Sequence, residues 1–420
     1  GPADTIGTTR LTAEFMGNPF TFSPPSAGCT LSSGGGSQTI TCDFPTPMLM
    51  GGIVTATVSG SSAQPGDVLV TATAEIVDDE PVDPLPDNNS DSATLSVATS
   101  LSAGAAQEIA STDQRDGVAA DIDGDGFEDL LVATGPGQNF EIYFNLVDPN
   151  DENRRRLSDV PSTFGSNVLS RGVTFFSMDG TPGSLHLVSA TDAGMPNEVY
   201  GQNINSGLMT LLETLGTESS YDVTAADLDL DGFPELIFAN TSPNTIYPNL
   251  GGTSFGTPIG LGGGESQAVV AVDLNADTLP DLVFANADGP TVSYENLGGL
   301  TFAPAVTIDP DPATSIAAGD FNGDGLPDLV IGRRDLGGSG IPNNPVYLNL
   351  GGGTFQAFGS LGAAPTGDVF AADITVDGIT DVIVLNDTGA HQIYAGTGTG
   401  GFNLHPEQFA SPAASRGVLG

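Results

Sequence analysis

The chain has 420 residues and a formal net charge of −43, with 52 acidic residues against nine bases, all of them arginine. Phosphate recognition needs basic patches, so nucleic acid and anionic membrane surfaces are excluded as partners, and no apolar run approaches the ~18 residues of a membrane span. A hydrophobic content of 39% is enough for packed cores, while 57 glycines and 30 prolines point to a turn-rich, all-β chain of two or more domains.

Residues 1–100 alternate apolar and polar residues with period two, as in Ile53-Val54-Thr55-Ala56-Thr57-Val58 and Val68-Leu69-Val70-Thr71-Ala72-Thr73-Ala74. Gly, Ser and Pro turns separate the runs, which predicts a β-sandwich. An acidic, Pro-rich stretch over 78–89 precedes a last strand over Ser92–Val97 and is a second place where an ion could be held. Cys29 and Cys42 lie in this region; in an extracellular protein they would form one disulfide, the other reading being two buried thiols. The region resembles the Cys-containing immunoglobulin-like modules repeated in large bacterial surface proteins. The features that match are Gly1-Pro2-Ala3-Asp4, Gly28-Cys29, Thr41-Cys42, the Gly51-Gly52 turn and Asp87-Asn88-Asn89. That family pattern has one further strand before its Gly-Pro, so the resemblance implies a module lacking its first strand.

Residues 101–420 hold a repeat array. Short acidic loops begin at Asp121, Asp227, Asp273, Asp320 and Asp373, with successive gaps of 106, 46, 47 and 53 residues. The long gap contains a degenerate unit, Gly172–Phe176 through Leu187–Thr191, that keeps both strands and has lost the acidic loop. Each unit reads as four short strands in about 50 residues, the pattern of a β-propeller blade. Its third strand is Ile142–Leu146 or Val346–Leu350, followed by a Gly-Gly turn and a Thr-Phe pair such as Thr354-Phe355. The loop-and-strand unit resembles the FG-GAP and VCBS-type repeats of integrin α-subunit propellers and of many secreted bacterial proteins. That resemblance implies seven blades: six full repeats plus part of a seventh, to which 105–112 and 416–420 would contribute. Both ends then read as lying inside a domain, in a piece of a longer protein without initiator Met or signal peptide.

The loops carry the chemistry. Carboxylates at every second residue repel one another unless a hard cation sits among them, and Ca²⁺ takes six to eight oxygens from such a flexible loop. In the first loop the donors are Asp121, Asp123, Asp125 and Asp129 with the carbonyl of Phe127. The next set is Asp227, Asp229, Asp231 and Glu235 with Phe233; then Asp273, Asn275, Asp277 and Asp281 with Leu279. The last two are Asp320, Asn322, Asp324 and Asp328 with Leu326, and Asp373, Thr375, Asp377 and Asp381 with Ile379. About five Ca²⁺ ions are expected, none at the degenerate unit, where only Asp179 remains. Thr278 stands where the other loops have Gly, which predicts strain in that turn. The all-oxygen set disfavours Zn²⁺, and a strand after each loop excludes an EF-hand.

His186, His391 and His405 are dispersed and read as structural. Arg154-Arg155-Arg156 reads as a locally ion-paired insertion, and Arg333-Arg334 as residues that could line a face. No nucleophile elbow, phosphate loop or paired acid–base set appears. The expected function is an extracellular, calcium-stabilised binding or adhesion segment of a secreted or cell-surface protein, presenting propeller loops to a glycan or protein. The alternatives are a stalk segment of a filament, built by strand exchange between neighbouring copies, and, last, a polysaccharide-acting enzyme.

Overall fold

The computed structural model describes side chains over 115–405, apart from 136–137, 148–155, 166–168, 182, 193, 203–208, 335–342, 363 and 376. Outside that range it describes only the backbone of the strands within 9–97, of 114 and of 406–410; within it, the strand backbone of 148, 151–155 and 166–168 is also described. Contacts divide the chain into two compact units, Gly1–Ser102 and Ala103–Gly420.

The first unit has a five-stranded antiparallel sheet in the order Cys29–Gly34, Ser37–Phe44, Thr9–Met16, Gly66–Ile76, Ser90–Val97, and a two-stranded sheet of Phe20–Phe22 with Gly60–Ser62. Two antiparallel sheets agree with the alternating pattern of the sequence. Cys29 lies directly opposite Cys42 in the antiparallel register. The acidic stretch 78–89 and the run Ile53–Val58 lie outside the described residues.

The second unit contains six four-stranded antiparallel sheets among the described residues, five of them built from consecutive strands and the first interrupted by a hairpin before its fourth strand. Their first strands are Gln114–Ala120, Ser170–Phe176, Ser220–Ala226, Ser266–Val272, Ser315–Gly319 and Thr366–Ala372. Each first strand packs beside the first strand of the next sheet. All six line one cavity of about 330 Å³, represented by Asp116, Thr174, Asp222, Gln267, Ser315 and Asp368. Sheets radiating from a shared axis in sequence order are a β-propeller, and the degenerate unit forms a full sheet like the others. Residues 105–112 and 416–420, assigned from the sequence to a seventh blade, lie outside the described residues.

One expectation needs correction. Ile142–Leu146 is not one strand: the third strand of sheet 1 ends at Tyr143, and Asn145–Asp148 pairs with Asp151–Leu157 as a separate hairpin. The fourth strand of that sheet is therefore delayed to Ser162–Val168.

The core sits between neighbouring sheets. The second strand of each sheet is covered on both faces, which is why Leu236-Ile237-Phe238-Ala239 and Leu282-Val283-Phe284-Ala285 are apolar without alternation and fully buried. Leu236 and Phe238 pack towards sheet 2, whereas Ile237 and Ala239 pack towards sheet 4. Edge-to-face ring pairs recur at the same place: Phe238 with Tyr247 at 5.7 Å, and Phe284 with Tyr294 at 5.9 Å.

Polar ties join the same sheets at the end opposite the acidic loops. Asn197 Nδ2 donates to Ser220 Oγ at 3.0 Å, Asn244 Nδ2 to Ser266 Oγ at 2.9 Å, and Asn344 Nδ2 to Thr366 Oγ1 at 2.8 Å. Between sheets 4 and 5 the corresponding residues are Thr291 and Ala313, and the buried Thr291 hydroxyl has no partner among the described residues. There Arg333 pairs with the buried Asp309 instead.

Candidate metal centres

Every acidic loop connects the first and second strands of a sheet and is wound around its own first carboxylate. Asp121 Oδ2 accepts from Gly126 N at 2.8 Å, Asp227 Oδ2 from Gly232 N at 2.9 Å and Asp273 Oδ2 from Thr278 N at 2.7 Å. Asp320 and Asp373 do the same with Gly325 at 2.9 Å and Gly378 at 2.8 Å. The fifth-position carboxylates of Asp125, Asp231, Asp277, Asp324 and Asp377 accept from the amides of Phe127, Phe233, Leu279, Leu326 and Ile379 at 2.9–3.0 Å. Such local side-chain-to-backbone bonds are what Asp and Asn offer a turn, and they give all five loops one shape.

This shape needs left-handed backbone at its sixth residue. Gly126, Gly232, Gly325 and Gly378 have φ between +83° and +92°, and Thr278 is held at +79°. A β-branched residue there is strained, as the sequence suggested.

The ninth position is chemically separate. Asp129, Glu235, Asp281, Asp328 and Asp381 begin the second strand and are buried, as are the second loop residues Ile122, Leu228, Leu274 and Phe321, while the other described loop residues are partly or fully exposed. Each uses both oxygens. One accepts from the loop's second residue: Ile122 N at 2.9 Å, Leu228 N at 2.9 Å, Leu274 N at 3.0 Å, Phe321 N at 3.0 Å and Ile374 N at 2.9 Å. The other accepts from the end of the third strand or just beyond it: Asn145 N at 2.7 Å, Asn249 N at 3.2 Å, Asn296 N at 2.7 Å, Asn349 N at 2.7 Å and Gly396 N at 2.8 Å. Burial pushes the carboxyls of Asp129, Asp281 and Asp328 up, and that of Glu235 to about 7. A cation beside a buried carboxylate of this kind would favour its ionised form.

The donor geometry suits such a cation. Oxygens of Asp121, Asp123 and Asp129 lie within 4.8 Å of one another, as do those of Asp227, Asp229 and Glu235. Oxygens sharing one Ca²⁺ at 2.3–2.6 Å stand no further apart than about 5 Å. Asn275, Asn322 and Thr375 occupy the third position of the remaining loops, and the Thr375 hydroxyl is buried without a partner among the described residues.

In sheet 2 the ninth position is His186. Its Nδ1 accepts from Met178 N at 3.3 Å, which reproduces the carboxylate's structural bond without its charge. His391 likewise accepts from Asn386 N at 3.1 Å. Arg156 pairs with Asp159, and Arg334 with Asp387 through contacts of 2.6 and 2.8 Å. With Arg333 also engaged by Asp309, these arginines act in structural ties.

Two sets of residues escaped the sequence reading. The first is the amide at the end of the third strand, in Asn249, Asn296 and Asn349; its signal was the recurring Asn-Leu-Gly-Gly of 249–252, 296–299 and 349–352. The second is the acid group of the central cavity. Burial, and then the charges of Asp222 and Asp368, hold the Asp116 carboxyl well above the ordinary range. Asp116 Oδ2 accepts from Val173 N of sheet 2 at 2.8 Å, and Asp222 Oδ2 from Val269 N of sheet 4 at 2.9 Å, so these acids also join sheets. No spacing in the sequence announces them.

Comparison with known proteins supports the propeller fold. Residues 227–284 and 273–331 match the FG-GAP-like repeat family. Those two segments run from the acidic loop of sheet 3 to the second strand of sheet 5. No curated protein matches the chain. A solved protein from Lactobacillus plantarum is similar over 84% of this chain and 98% of its own, at 13% identity and a TM-score of 0.52. BBS1N, solved in complex with ARL6DN, is similar over 72% of this chain and 84% of its own, at 12% identity and a TM-score of 0.51. An Agrocybe aegerita lectin that recognises non-reducing terminal N-acetylglucosamine is similar over 71% of this chain and 80% of its own, at 18% identity and a TM-score of 0.47. Among the described residues no helix is long and apolar enough to cross a membrane.

Proposed function

We propose that this chain is an extracellular, calcium-stabilised binding or adhesion segment whose propeller presents loops to a glycan or a protein. The observation that carries the reading is the recurrence of one loop geometry five times, each copy pairing solvent-facing carboxyl or amide oxygens with a buried carboxylate. Asp121, Asp123 and Asp129, and Asp227, Asp229 and Glu235, hold the ions of the first and third sheets. Asp273, Asn275, Asp277 and Asp281 serve the fourth sheet; Asp320, Asn322, Asp324 and Asp328 the fifth; Asp373, Thr375, Asp377 and Asp381 the sixth. The ions are structural: they neutralise the loops and tie first strand to second, and binding to the folded state alone adds stability by mass action.

In this reading the Cys29–Cys42 pair is oxidised. Directly opposed residues of an antiparallel ladder have Cα atoms about 4.5–5.5 Å apart, within disulfide range. A non-reducing peptide map should find the two half-cystines joined.

The central test is thermal unfolding of the full chain in millimolar Ca²⁺ and in excess chelator. Calcium at about a hundred times its dissociation constant should add on the order of 2.7 kcal/mol per site. A melting temperature indifferent to chelator sinks the metal reading. Screening glycans and surface proteins against the calcium-loaded chain tests the ligand-presenting part separately.

A further inference from the structure

We propose that the amide side chain at the end of the third strand couples the acidic loops of adjacent sheets, so that Ca²⁺ binds along the array with positive cooperativity. The proposal rests on the calcium reading above and extends it to how the sites communicate.

Asn296 makes the case. Its backbone N–H donates to Asp281, the buried carboxylate of its own loop, at 2.7 Å. Its side-chain amide donates to Pro280 O of the same loop at 3.0 Å and to Leu228 O of the preceding sheet's loop at 2.7 Å. Leu228 is in turn fixed at its N–H by Glu235, the buried carboxylate of that preceding loop. A continuous path therefore runs from Glu235 through Leu228 and Asn296 to Asp281, and all four residues are buried. An ion that orders Asp281 orders Asn296, and with it the carbonyl that shapes the neighbouring site.

The link repeats. Asn349 donates to Leu274 O at 2.8 Å and to Pro327 O at 3.2 Å, joining sheets 5 and 4. Asn249 donates to Met178 O at 2.9 Å, and Gln202 to Ile122 O. At sheet 6 the position is Gly396, where an added Cβ would stand 2.4 Å from Thr380 O. There the amide of Gly400 donates to Phe321 O at 2.8 Å, so backbone replaces side chain and the link survives. Loops 3 to 6 thus form an unbroken relay, while the path from loop 1 crosses sheet 2, where His186 replaces the carboxylate. The first site is accordingly the one that binds independently.

The test is a double-mutant cycle read by calcium titration of the full chain. Asp229→Ala weakens the third site and Asp277→Ala the fourth. In the wild-type background their effects on calcium affinity should be non-additive by about fivefold or more, the lower end of ordinary allosteric coupling. In an Asn296→Ala background the two effects should become additive, and Asn296→Gln should restore coupling, since Gln202 does this work at sheet 2. Should the alanine variant not fold, Asn296→Leu removes the same donor with less loss of packing. Gln202→Ala, which cuts the link from sheet 2 to the loop of sheet 1, is the specificity control and should leave the Asp229/Asp277 coupling intact. Calcium that binds with additive effects in the wild type, or coupling that persists without the Asn296 amide, overturns the proposal. A wild-type chain that binds no calcium removes the metal reading and the coupling together.

Discussion

At the scale of the residue, the protein repeatedly spends conformational freedom or charge to hold a shape. Thr278 is the clearest cost, a β-branched residue at φ +79° where four other loops have Gly. Thr278→Gly should stabilise the protein by about 1 kcal/mol, a rise of roughly 2–4 °C in melting temperature, because relief of strain outweighs the added freedom of the unfolded chain. Asp116 carries a charge cost. Its folded-state pKa lies above its unfolded value, so the unfolded chain releases the proton first as pH rises. Stability from this group is full below about pH 3.9 and is lost progressively above it, until the folded carboxyl also ionises. Asp116→Asn keeps an acceptor for Val173 N and removes the charge. It should be more stable than wild type at pH 7, by roughly 1.4 kcal/mol per unit of raised pKa, with the advantage shrinking as pH falls towards 4. Denaturant titration at several pH values checks the sign.

At the scale of the element, the unit of construction is a sheet that cannot bury its own faces. Phe238 and Phe284 are fully buried because a second sheet covers them, so each blade is stabilised mainly by its neighbours. The same closeness governs the loops. Gly180 of the degenerate loop of sheet 2 has φ +65°, and a Cβ there would stand 2.3 Å from Gly232 O in the acidic loop of sheet 3. Gly180→Ala should destabilise by about 1–3 kcal/mol, measurable by chemical unfolding, and should weaken calcium binding at the loop of sheet 3 more than at that of sheet 5. The strand pattern was largely legible here: period-two runs, second strands apolar throughout, Gly-Gly turns. The break at Phe144 was not, because Ile142-Tyr143-Phe144-Asn145-Leu146 is uniformly strand-like, whereas its last two residues belong to a hairpin paired with Asp151–Leu157.

At the scale of the whole molecule, six sheets converge on one axis, and polar, side-specific ties supplement the apolar core between them. Amide-to-hydroxyl pairs join them at one end, the amide-to-carbonyl relay at the other, and carboxylate-to-amide bonds around the central cavity. At a net charge of −43, compensation of the loop carboxylates by Ca²⁺ would remove repulsion within each loop. Chelator should therefore lower the melting temperature most at low ionic strength, and added NaCl should recover part of the loss by screening.

The local chemistry followed from the sequence alone. Alternating acids with Gly at the turn specify a loop whose side chains bond their own backbone, and a fifty-residue recurrence specifies blades; both arise from interactions within a few residues. Tertiary structure decided which carboxylate of each loop is buried, that His186 could stand in for one of them, and that Asn296 reaches the loop of another sheet. The last of these depends on groups 68 residues apart meeting across a sheet interface, and no local spacing encodes that meeting.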